Sequence, residues 1–466
     1  MSSRHPLASV FLISSVSALG GFLFGFDSGV INGTVSALTA AFGSSKAVTG
    51  FNVASMLLGC AAGAFLAGRA ADRFGRRRTL LFTAVVFVVS AWGSGVAGGS
   101  VEFVLYRLLG GLAVGAASII CPTYIAEISP PQHRGWLATL QQLAIVLGLF
   151  AAFLSNFLIA KFAGGAAAVW LGGYQAWQWM FWGEILPALV FLVGLIFIPE
   201  SPRYLVAAGR NEEAASVLAR FSSRESAAIA VTEIQRTLDR SHRPSLRDLW
   251  NRGTGRLHPI VWVGLAIAAL QQLVGINVVF YYGEVLWRAA GFSEGDALRI
   301  NLIGGTINVL STFVAIALVD RIGRRPLLLI GSFGMSLTLG LMAVLFARAG
   351  TGPDGNLLLG STEGTFALIA ANLYIVAFGI SWGPVMWVLL GEMFPNQIRG
   401  AALSLAGLCQ WGTNFLVTLT FPRLLASIGL GGAYGIYAAF ALFSAFYTWK
   451  YIRETKGLTL EQMRTD

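Results

Sequence analysis

The sequence predicts an all-α membrane protein whose twelve transmembrane helices form two pseudo-symmetric halves of six, with a small helical segment between them. Three observations support this fold class. Of the 466 residues, 56% are apolar and 12% are charged, and the mean hydropathy is +0.70. The apolar residues fall in long blocks, and the polar motifs between the blocks occur twice. So much apolar surface exceeds what a soluble domain can bury, which excludes most soluble enzymes and nucleic-acid binders.

Twelve apolar blocks are long enough to be membrane-spanning helices, because about 20 residues cross the ~30 Å hydrocarbon layer. Unpaired backbone groups in lipid restrict such blocks to helices or barrels, and the blocks lack the alternation of barrel strands. The first block is kept as a helix and not as a cleaved signal peptide, because its apolar run continues to Phe26. The predicted spans are residues 8–32, 51–70, 79–98, 102–123, 136–160, 178–198, 259–288, 299–319, 326–347, 364–391, 400–425 and 432–452.

These spans divide the chain into two six-helix bundles, residues 1–198 and 259–452. The polar segment 199–258 contains amphipathic runs that predict a small cytoplasmic helical domain, and residues 453–466 form a polar tail. If the N-terminus is cytoplasmic, 25 of the 32 Lys and Arg residues lie on the cytoplasmic side and six on the other. This positive-inside bias explains the net charge of +10 without nucleic acid. We expect a multi-pass protein of the inner (plasma) membrane with both termini cytoplasmic.

Three pairs of motifs occur in the same order in the two halves. Asp72-Arg-Phe-Gly-Arg-Arg77 follows span 2, and Asp320-Arg-Ile-Gly-Arg-Arg325 follows span 8, 248 residues later. A glutamate and an arginine seven residues apart follow spans 4 and 10, with an offset of 265. Acidic motifs containing Glu200 and Glu454 follow spans 6 and 12. Such self-similarity indicates two homologous halves, an arrangement that transporters use.

Small residues and a proline predict local features of the helices. Gly59 with Gly63, and Gly111 with Gly115, form pairs of small residues that favour close helix approach. Pro384 can break span 10 and provide a hinge.

Asp27 and Arg107 are interpreted as the only clear charges within the spans. Asp27 lies near the end of span 1 and Arg107 near the start of span 4, so the two side chains lie at a similar depth and can pair. They could be snorkelling side chains near helix ends. They could instead form a proton site, because burial raises the pKa of a carboxyl group and a neighbouring arginine lowers it. We favour a site in which Asp27 binds the proton and Arg107 modulates it.

Uncharged polar side chains cluster within the spans of the second half. Gln271, Gln272 and Asn277 lie within seven positions of one span. Their amides donate and accept hydrogen bonds, as sugar hydroxyls do, and Trp387 and Trp411 offer flat apolar faces to the C–H face of a sugar ring. A single amide is more often a contact between helices, worth about 0.6–2 kcal/mol. Several together, in spans almost without Arg or Lys, favour a neutral polyhydroxylated ligand.

At this point the chain resembles, over essentially its whole length, the sugar porter family of the major facilitator superfamily. The paired Asp-Arg-X-Gly-Arg-Arg loops mark the superfamily, and the motifs at 199–205, 271–277, 382–384 and 454–457 narrow the resemblance to sugar porters. Within the family the chain is most similar to bacterial glucose–proton symporters. One departure is Arg453, which stands where the family has proline. The resemblance implies the major facilitator fold and proton-coupled uptake of a monosaccharide, a hexose such as glucose, by alternating access.

The resemblance also implies roles for individual residues. Tyr281 and Tyr282 match the family's extracellular gate. The family's sugar contacts are matched by Gln142, Gln271, Gln272, Asn277, Asn308, Trp387, Gln410, Trp411 and Asn414. A cytoplasmic salt-bridge network that latches the outward-facing state is matched by Asp72, Arg76, Arg77, Glu127, Arg134, Glu200, Arg203, Asp320, Arg324, Arg325, Glu392, Arg399 and Glu454.

Two alternatives stay open, a facilitative sugar uniporter and a non-transporting sugar sensor. An enzyme is not expected, because no span offers a nucleophile–base pair or a metal cluster. The expected partners are a sugar, the proton and the bilayer, without nucleic acid, and a monomer is expected. No cofactor or metal is expected beyond the proton as coupling ion.

Overall fold

The computed structural model describes residues 5–130, 134–220, 223–240, 249–250, 255–352, 357–395 and 398–456. Long helices form the two halves, and three short helices lie between them. In the first half the helices are α1 His5–Val30, α2 Val35–Ala41, α3 Lys46–Phe74, α4 Arg76–Val96, α5 Ser100–Ile128, α6 Arg134–Ala163, α7 Ala176–Trp182 and α8 Ile185–Phe197. The intervening helices are α9 Pro202–Ala207, α10 Asn211–Leu218 and α11 Arg224–Arg240.

The second half repeats the pattern of long helices. Its helices are α12 Pro259–Leu273, α13 Ile276–Ala289, α14 Glu294–Ile322, α15 Arg324–Arg348, α16 Ser361–Gly379, α17 Trp382–Met393 and α18 Arg399–Tyr451. Between α15 and α16 a short antiparallel ribbon pairs Gly350–Thr351 with Leu357–Leu358. Single-turn 3₁₀ helices occupy Ile31–Gly33 and Leu171–Gly173.

The helices account for the twelve predicted spans. Within the described residues, eleven helical segments are long and apolar enough to cross a membrane. The last of them, α18, has 53 residues and is interrupted at Gly429, where φ is 68° and ψ is −177°, so it supplies spans 11 and 12. The predicted fold class, an all-α membrane protein with twelve spans in two halves, is therefore confirmed.

Spans 6, 7 and 10 each consist of two helices, α7 with α8, α12 with α13, and α16 with α17. In span 10 the interruption lies at Ile380 and Ser381, and Pro384 falls in the first turn of α17. A proline is tolerated there because the first N–H groups of a helix have no partner inside the helix. Span 10 is thus interrupted at Ile380, the residue four positions before Pro384, whose carbonyl the proline leaves without a helical N–H partner, in agreement with the expected break.

The first half is packed tightly around α5. At the crossing of α3 and α5, a methyl group added to Gly59 would lie 2.9 Å from the Cα atom of Gly111, and one added to Gly63 would overlap Leu112. The small-residue pairs thus allow the close helix approach that the sequence predicts.

We call the end of the bundle that carries Arg76 and Arg324 the arginine end, and the opposite end the far end. The two halves meet toward the far end, where α3 packs against α18 and α6 against α14. The ring centroids of Phe51 and Phe415 lie 6.5 Å apart at this contact. Over the part of the chain that the structure describes, no hydrogen bond or ion pair joins the halves at the arginine end. The bundle is thus closed at the far end.

Candidate functional site

Four of the amides singled out in the sequence form one hydrogen-bonded chain in the second half. Asn277 donates to Gln272 Oε1 at 2.5 Å, and Gln272 Nε2 donates to Gln271 Oε1 at 3.0 Å. Gln410, from α18, also donates to Gln271 Oε1, at 3.2 Å. The Oε1 atom of Gln410 is buried without a partner among the described residues. The chain therefore joins α12, α13 and α18 and keeps acceptor capacity for a hydroxyl-bearing ligand.

A second polar chain connects α13 to α18 on the far-end side of these amides. Asn414 Nδ2 donates to the Tyr281 hydroxyl at 3.4 Å, and Thr418 donates to Asn414 Oδ1 at 3.1 Å. The Tyr282 hydroxyl donates to the Thr418 carbonyl at 3.0 Å, and its ring lies 5.0 Å from that of Phe421. The two tyrosines thus hold α13 against α18.

The remaining predicted sugar contacts lie apart from these chains. Trp411 packs on Phe24 of α1, with ring centroids 5.6 Å apart. Gln142 is half-buried, Asn308 is buried, and Trp387 is 40% exposed. Within the described residues no hydrogen bond joins these three to the amide chain. A separate small cavity beside Phe153, Phe280 and Trp287 includes none of the predicted sugar contacts.

Asp27 and Arg107 form a buried ion pair, with both residues 1% exposed. Arg107 also donates to the Asp27 carbonyl at 3.3 Å and contacts Met56 Sδ at 2.9 Å, and it lies over the ring of Phe181. Asp27 Oδ2 has no hydrogen-bond partner among the described atoms. Full burial rules out snorkelling, because neither group reaches water.

Glu184 is a third buried ionisable residue, which the sequence analysis does not single out. It precedes α8, is 2% exposed, and lies near Asp27 and Arg107, without a hydrogen bond or ion pair to either within the described residues. Glu284 on α13 is also 2% exposed. The interpretation that Asp27 and Arg107 are the only charges within the spans is therefore wrong. An acidic residue inside an apolar span is costly enough to mark a functional site, and that signal was present in the sequence.

Polar contacts between the halves concentrate around Asn32 at the far end. Asn32 donates to the Phe280 carbonyl at 2.9 Å, and its Oδ1 accepts from Asn301 at 2.7 Å and from the Glu284 amide at 3.2 Å. Ser36 donates to Glu284 Oε2 at 2.7 Å. A further carboxylate of the second half, on α14, accepts a backbone N–H from the loop after α6 at 2.7 Å. We call this set the far-end closure.

At the arginine end of the first half, Arg76 gathers two acidic side chains. It pairs with Asp72 at 3.0 Å and makes a two-point contact with Glu127 at 3.1 Å for each bond. Its backbone N–H donates to Glu200 at 2.9 Å. Arg77 donates its amide to the same carboxylate and its guanidinium to carbonyls at the end of α8.

The second half repeats the side-chain contacts of the first arginine and the backbone contacts of both arginines. Arg324 pairs with Asp320 at 3.0 Å and with Glu392 at 3.0 and 2.7 Å. The backbone amides of Arg324 and Arg325 donate to Glu454, each at 3.0 Å. The correspondence follows the motif pairs seen in the sequence and shows that each cluster lies within one half.

Backbone donors hold the Glu454 carboxylate in its ionised form. Partial burial alone would raise the pKa of Glu454, but N–H donation from Lys456, Arg324, Arg325 and Thr455 outweighs burial and lowers that pKa. The carboxylate also faces the N-terminus of α15, where negative charge is stabilised.

Arg134, Arg203 and Arg399 are the remaining predicted members of the network. The side chain of Arg134 lies outside the described residues. Arg203 is exposed and makes no ion pair within the described parts of the chain. Arg399 donates to the Phe394 carbonyl at 3.1 and 2.9 Å.

Comparison of this chain with known proteins identifies a family to which its sequence is similar. The family model described as sugar (and other) transporter matches residues 13–466. A glucose transport protein of Synechocystis sp. is 54% identical over 455 residues, which cover 97% of each chain. The D-xylose–proton symporter of Escherichia coli is 38% identical and covers 99% of this chain and 96% of its own. A glucose facilitated diffusion protein of Zymomonas mobilis is 34% identical, covering 99% of this chain and 98% of its own.

Solved structures agree with these relatives. The E. coli xylose transporter in a partially occluded inward-open conformation matches with a TM-score of 0.83 at 36% identity, covering 97% of this chain and 100% of that chain. The same transporter bound to 6-bromo-6-deoxy-D-glucose matches with a TM-score of 0.79 at 38% identity, covering 98% of this chain and 99% of that chain.

Proposed function

We propose that this chain, which belongs to the sugar (and other) transporter family, carries D-glucose or a closely related hexose into the cell together with a proton. Transport proceeds by alternating access between an outward-facing and an inward-facing state. The family and the fold indicate a transporter and not an enzyme. The multi-pass chain is assigned to the plasma membrane.

The amide chain of Gln271, Gln272, Asn277 and Gln410 is the observation that carries the sugar assignment. It is uncharged, rich in both donors and acceptors, and buried except at the half-buried Asn277, which suits a ring of hydroxyl groups and not an anion. The likeness to a glucose transport protein favours glucose over the pentose named for the E. coli relative. Gln142, Asn308, Trp387, Trp411 and Asn414 are proposed to complete the site when the halves rearrange around the sugar.

The buried cluster of Asp27, Arg107 and Glu184 supports proton coupling. It contains two carboxyl groups and one guanidinium, so it is electrically balanced only when one carboxyl group holds a proton. A buried site that gains and loses a proton as the halves move can couple transport to the proton gradient. Glu184 is proposed as the second carboxyl group of this site.

The positive-inside bias assigns the arginine end to the cytoplasm, with both termini on that side. Residues 1–198 and 259–452 would then be the two moving bundles, with 199–258 as a cytoplasmic domain. The far-end closure would face outside, so the structure is inward-facing. The clusters of Arg76 and Arg324 stay intact in this state, so we propose that the latch of the outward-facing state forms when the two clusters meet.

A facilitative uniporter is the second candidate, because a facilitated diffusion protein is also 34% identical over nearly the whole chain. The fold and the amide chain fit both functions equally well. The buried charge cluster favours the symporter, since a uniporter has no need for a proton-binding carboxyl group.

Uptake of radiolabelled sugars into proteoliposomes tests the proposal. We expect D-glucose to accumulate above its external concentration only when the lumen is alkaline, with external alkalinisation as sugar enters. Gln272→Ala should weaken glucose binding while the protein stays folded, because it removes the central link of the amide chain. Equilibration without accumulation in either gradient would establish the uniporter, and no uptake of any sugar would contradict both candidates.

A further inference from the structure

The interruptions of spans 7 and 10 lie against each other inside the second half. Val274 and Gly275 separate α12 from α13, and Ile380 and Ser381 separate α16 from α17. Backbone groups at such interruptions lose their helical partners and must find others within the protein. At the interruption of span 7 the partner of a freed carbonyl is a side chain of span 10, and a side chain of span 7 donates in turn to the first residue of α17.

Tyr374 on α16 donates its hydroxyl to the Val274 carbonyl at 2.8 Å, and the tyrosine is fully buried. In the opposite direction, Gln271 in the last turn of α12 donates Nε2 to the carbonyl of Trp382 at 2.9 Å. Trp382 is the first residue of α17. The two hydrogen bonds form a reciprocal pair between the two interrupted spans, which we call the cross-brace.

The groups on both sides of the cross-brace are held firmly. The Trp382 indole is fully buried and donates to Ser332 of α15 at 2.8 Å. Gly275 has φ +83°, a conformation that favours glycine. A side chain at Gly275 would also meet the ring of Tyr437 at 2.7 Å. Span 7 therefore has a defined pivot at Gly275, with α13 on its far-end side.

Gln271 belongs to both the cross-brace and the amide chain. Its Oε1 accepts from Gln272 and Gln410, while its Nε2 is occupied by the Trp382 carbonyl. A sugar hydroxyl that bonds to Gln271 must share this amide with Trp382, so ligand binding acts on the start of α17. In the opposite direction, the hydrogen bond from Tyr374 connects α16 to Val274, the residue next to the pivot at Gly275.

We propose that Tyr374 is a positioning residue that couples α13 to span 10, so that α13 and α17 respond together when sugar binds. The inference rests on the proposed function, because it requires a sugar at the amide chain. Tyr374 itself does not contact the amides. Its loss should therefore leave sugar affinity unchanged and separate the two movements.

The test uses Tyr374→Phe, which removes only the hydroxyl, and Tyr434→Phe as the matched control. Tyr434 is a buried tyrosine of the same half, its ring packs on Phe346, and its hydroxyl makes no hydrogen bond within the described residues. Reporter cysteines are introduced singly as Ala289→Cys at the end of α13 and Gly391→Cys near the end of α17. A side chain at Gly391 would meet no atom within 4 Å.

The background variant is Cys409→Ser, because the other two native cysteines are buried. Labelling rates with a membrane-impermeant maleimide are measured on the full-length protein in detergent as D-glucose is added. In the parent protein we expect both rates to change with the same glucose midpoint. In Tyr374→Phe the α17 reporter should keep its response and midpoint, while the α13 response falls about five-fold, the factor that one net hydrogen bond corresponds to.

The coupling would be overturned if Tyr374→Phe responded like the parent at both reporters. It would also be overturned if Tyr434→Phe lost the α13 response to the same extent as Tyr374→Phe. Equal loss at both reporters with a shifted midpoint would also overturn it, since that result shows damage to the sugar site. A parent protein whose reporters ignore every sugar, and which takes up none, would overturn the proposed function and the coupling with it. Thermal melting of each variant checks that the fold is retained.

Discussion

At the scale of single residues, the charge balance of the buried cluster decides its chemistry. Asp27 and Arg107 are each 1% exposed and Glu184 is 2% exposed, so none can be neutralised by solvent. An unpaired charge left in such a site costs several kcal/mol. The cluster therefore needs a proton on one carboxyl group, which makes its protonation sensitive to any movement of Arg107.

Asp27→Asn should abolish accumulation of glucose against its gradient and spare equilibrium exchange. The amide keeps a hydrogen-bond acceptor for Arg107 but cannot exchange a proton, so the sugar steps survive without coupling. Proteoliposomes with and without a pH gradient measure both quantities. Glu184→Gln should also reduce accumulation if the two carboxyl groups share the proton. Glu102→Gln is the control, because Glu102 lies exposed on the same helix as Arg107; retained uphill uptake in Asp27→Asn would contradict the assignment.

The sequence identified part of this cluster because depth along a span can be counted from residue numbers. Asp27 and Arg107 were placed at a similar depth, and they do pair. Glu184 is visible in the sequence as an acidic residue inside the predicted span 178–198, but the sequence does not show which residues it lies beside. Its proximity to Arg107 depends on how three spans pack together, which no local pattern records.

At the scale of elements, the turns before α4 and α15 share one structure. In each, a glycine lies against a glutamate carboxylate that accepts hydrogen bonds from the next backbone N–H groups. Gly75 and Gly323 have φ values of 95° and 103°. A side chain at Gly323 would meet the Glu454 carboxylate at 2.7 Å, and the same clash exists with Glu200 at Gly75. Glycine is therefore required at both positions for two reasons. Its backbone has a positive φ, and a side chain there would collide with the carboxylate of the glutamate.

Gly323→Ala should destabilise the protein by about 1–2 kcal/mol, because it forces an L-residue into a positive-φ conformation and pushes Glu454 from its backbone donors. Gly340→Ala, on α15 itself, is the matched control, since a side chain there meets no atom within 4 Å. Thermal unfolding in detergent compares the two variants. Equal melting temperatures would show that the motif glycine has no such structural role.

Hydropathy predicted the twelve spans because each must be apolar over a length fixed by the bilayer. It did not predict where spans 7 and 10 are interrupted. At Val274 the freed carbonyl is satisfied by Tyr374, 100 positions away, a tertiary donor that no local pattern marks. In span 10 the local signal was Pro384, which lies four positions after Ile380 at the interruption.

At the scale of the whole molecule, the polar contacts that join the halves through described residues lie at the far end. The far-end closure is made of hydrogen bonds, two of them to carboxylates of the second half, while the salt-bridge clusters of the arginine end lie within each half. A set of this kind can bias a two-state equilibrium by a few kcal/mol, which is enough to change which face is open.

Ser36→Ala should shift the equilibrium toward the outward-facing state by about five-fold, the factor that one net hydrogen bond corresponds to. It removes the hydroxyl that bridges α2 to Glu284 and leaves the sugar and proton sites untouched. External sugar binds only the outward-facing state, so the KM for entry should fall while the KM for efflux rises, because the competent fraction changes in opposite directions at the two faces. Thr39→Ala is the control, since Thr39, also on α2, bonds only within its own half, to Val35 and Thr49. Entry and efflux KM values that move in parallel would mean that Ser36 acts on the sugar site and not on the closure between the halves.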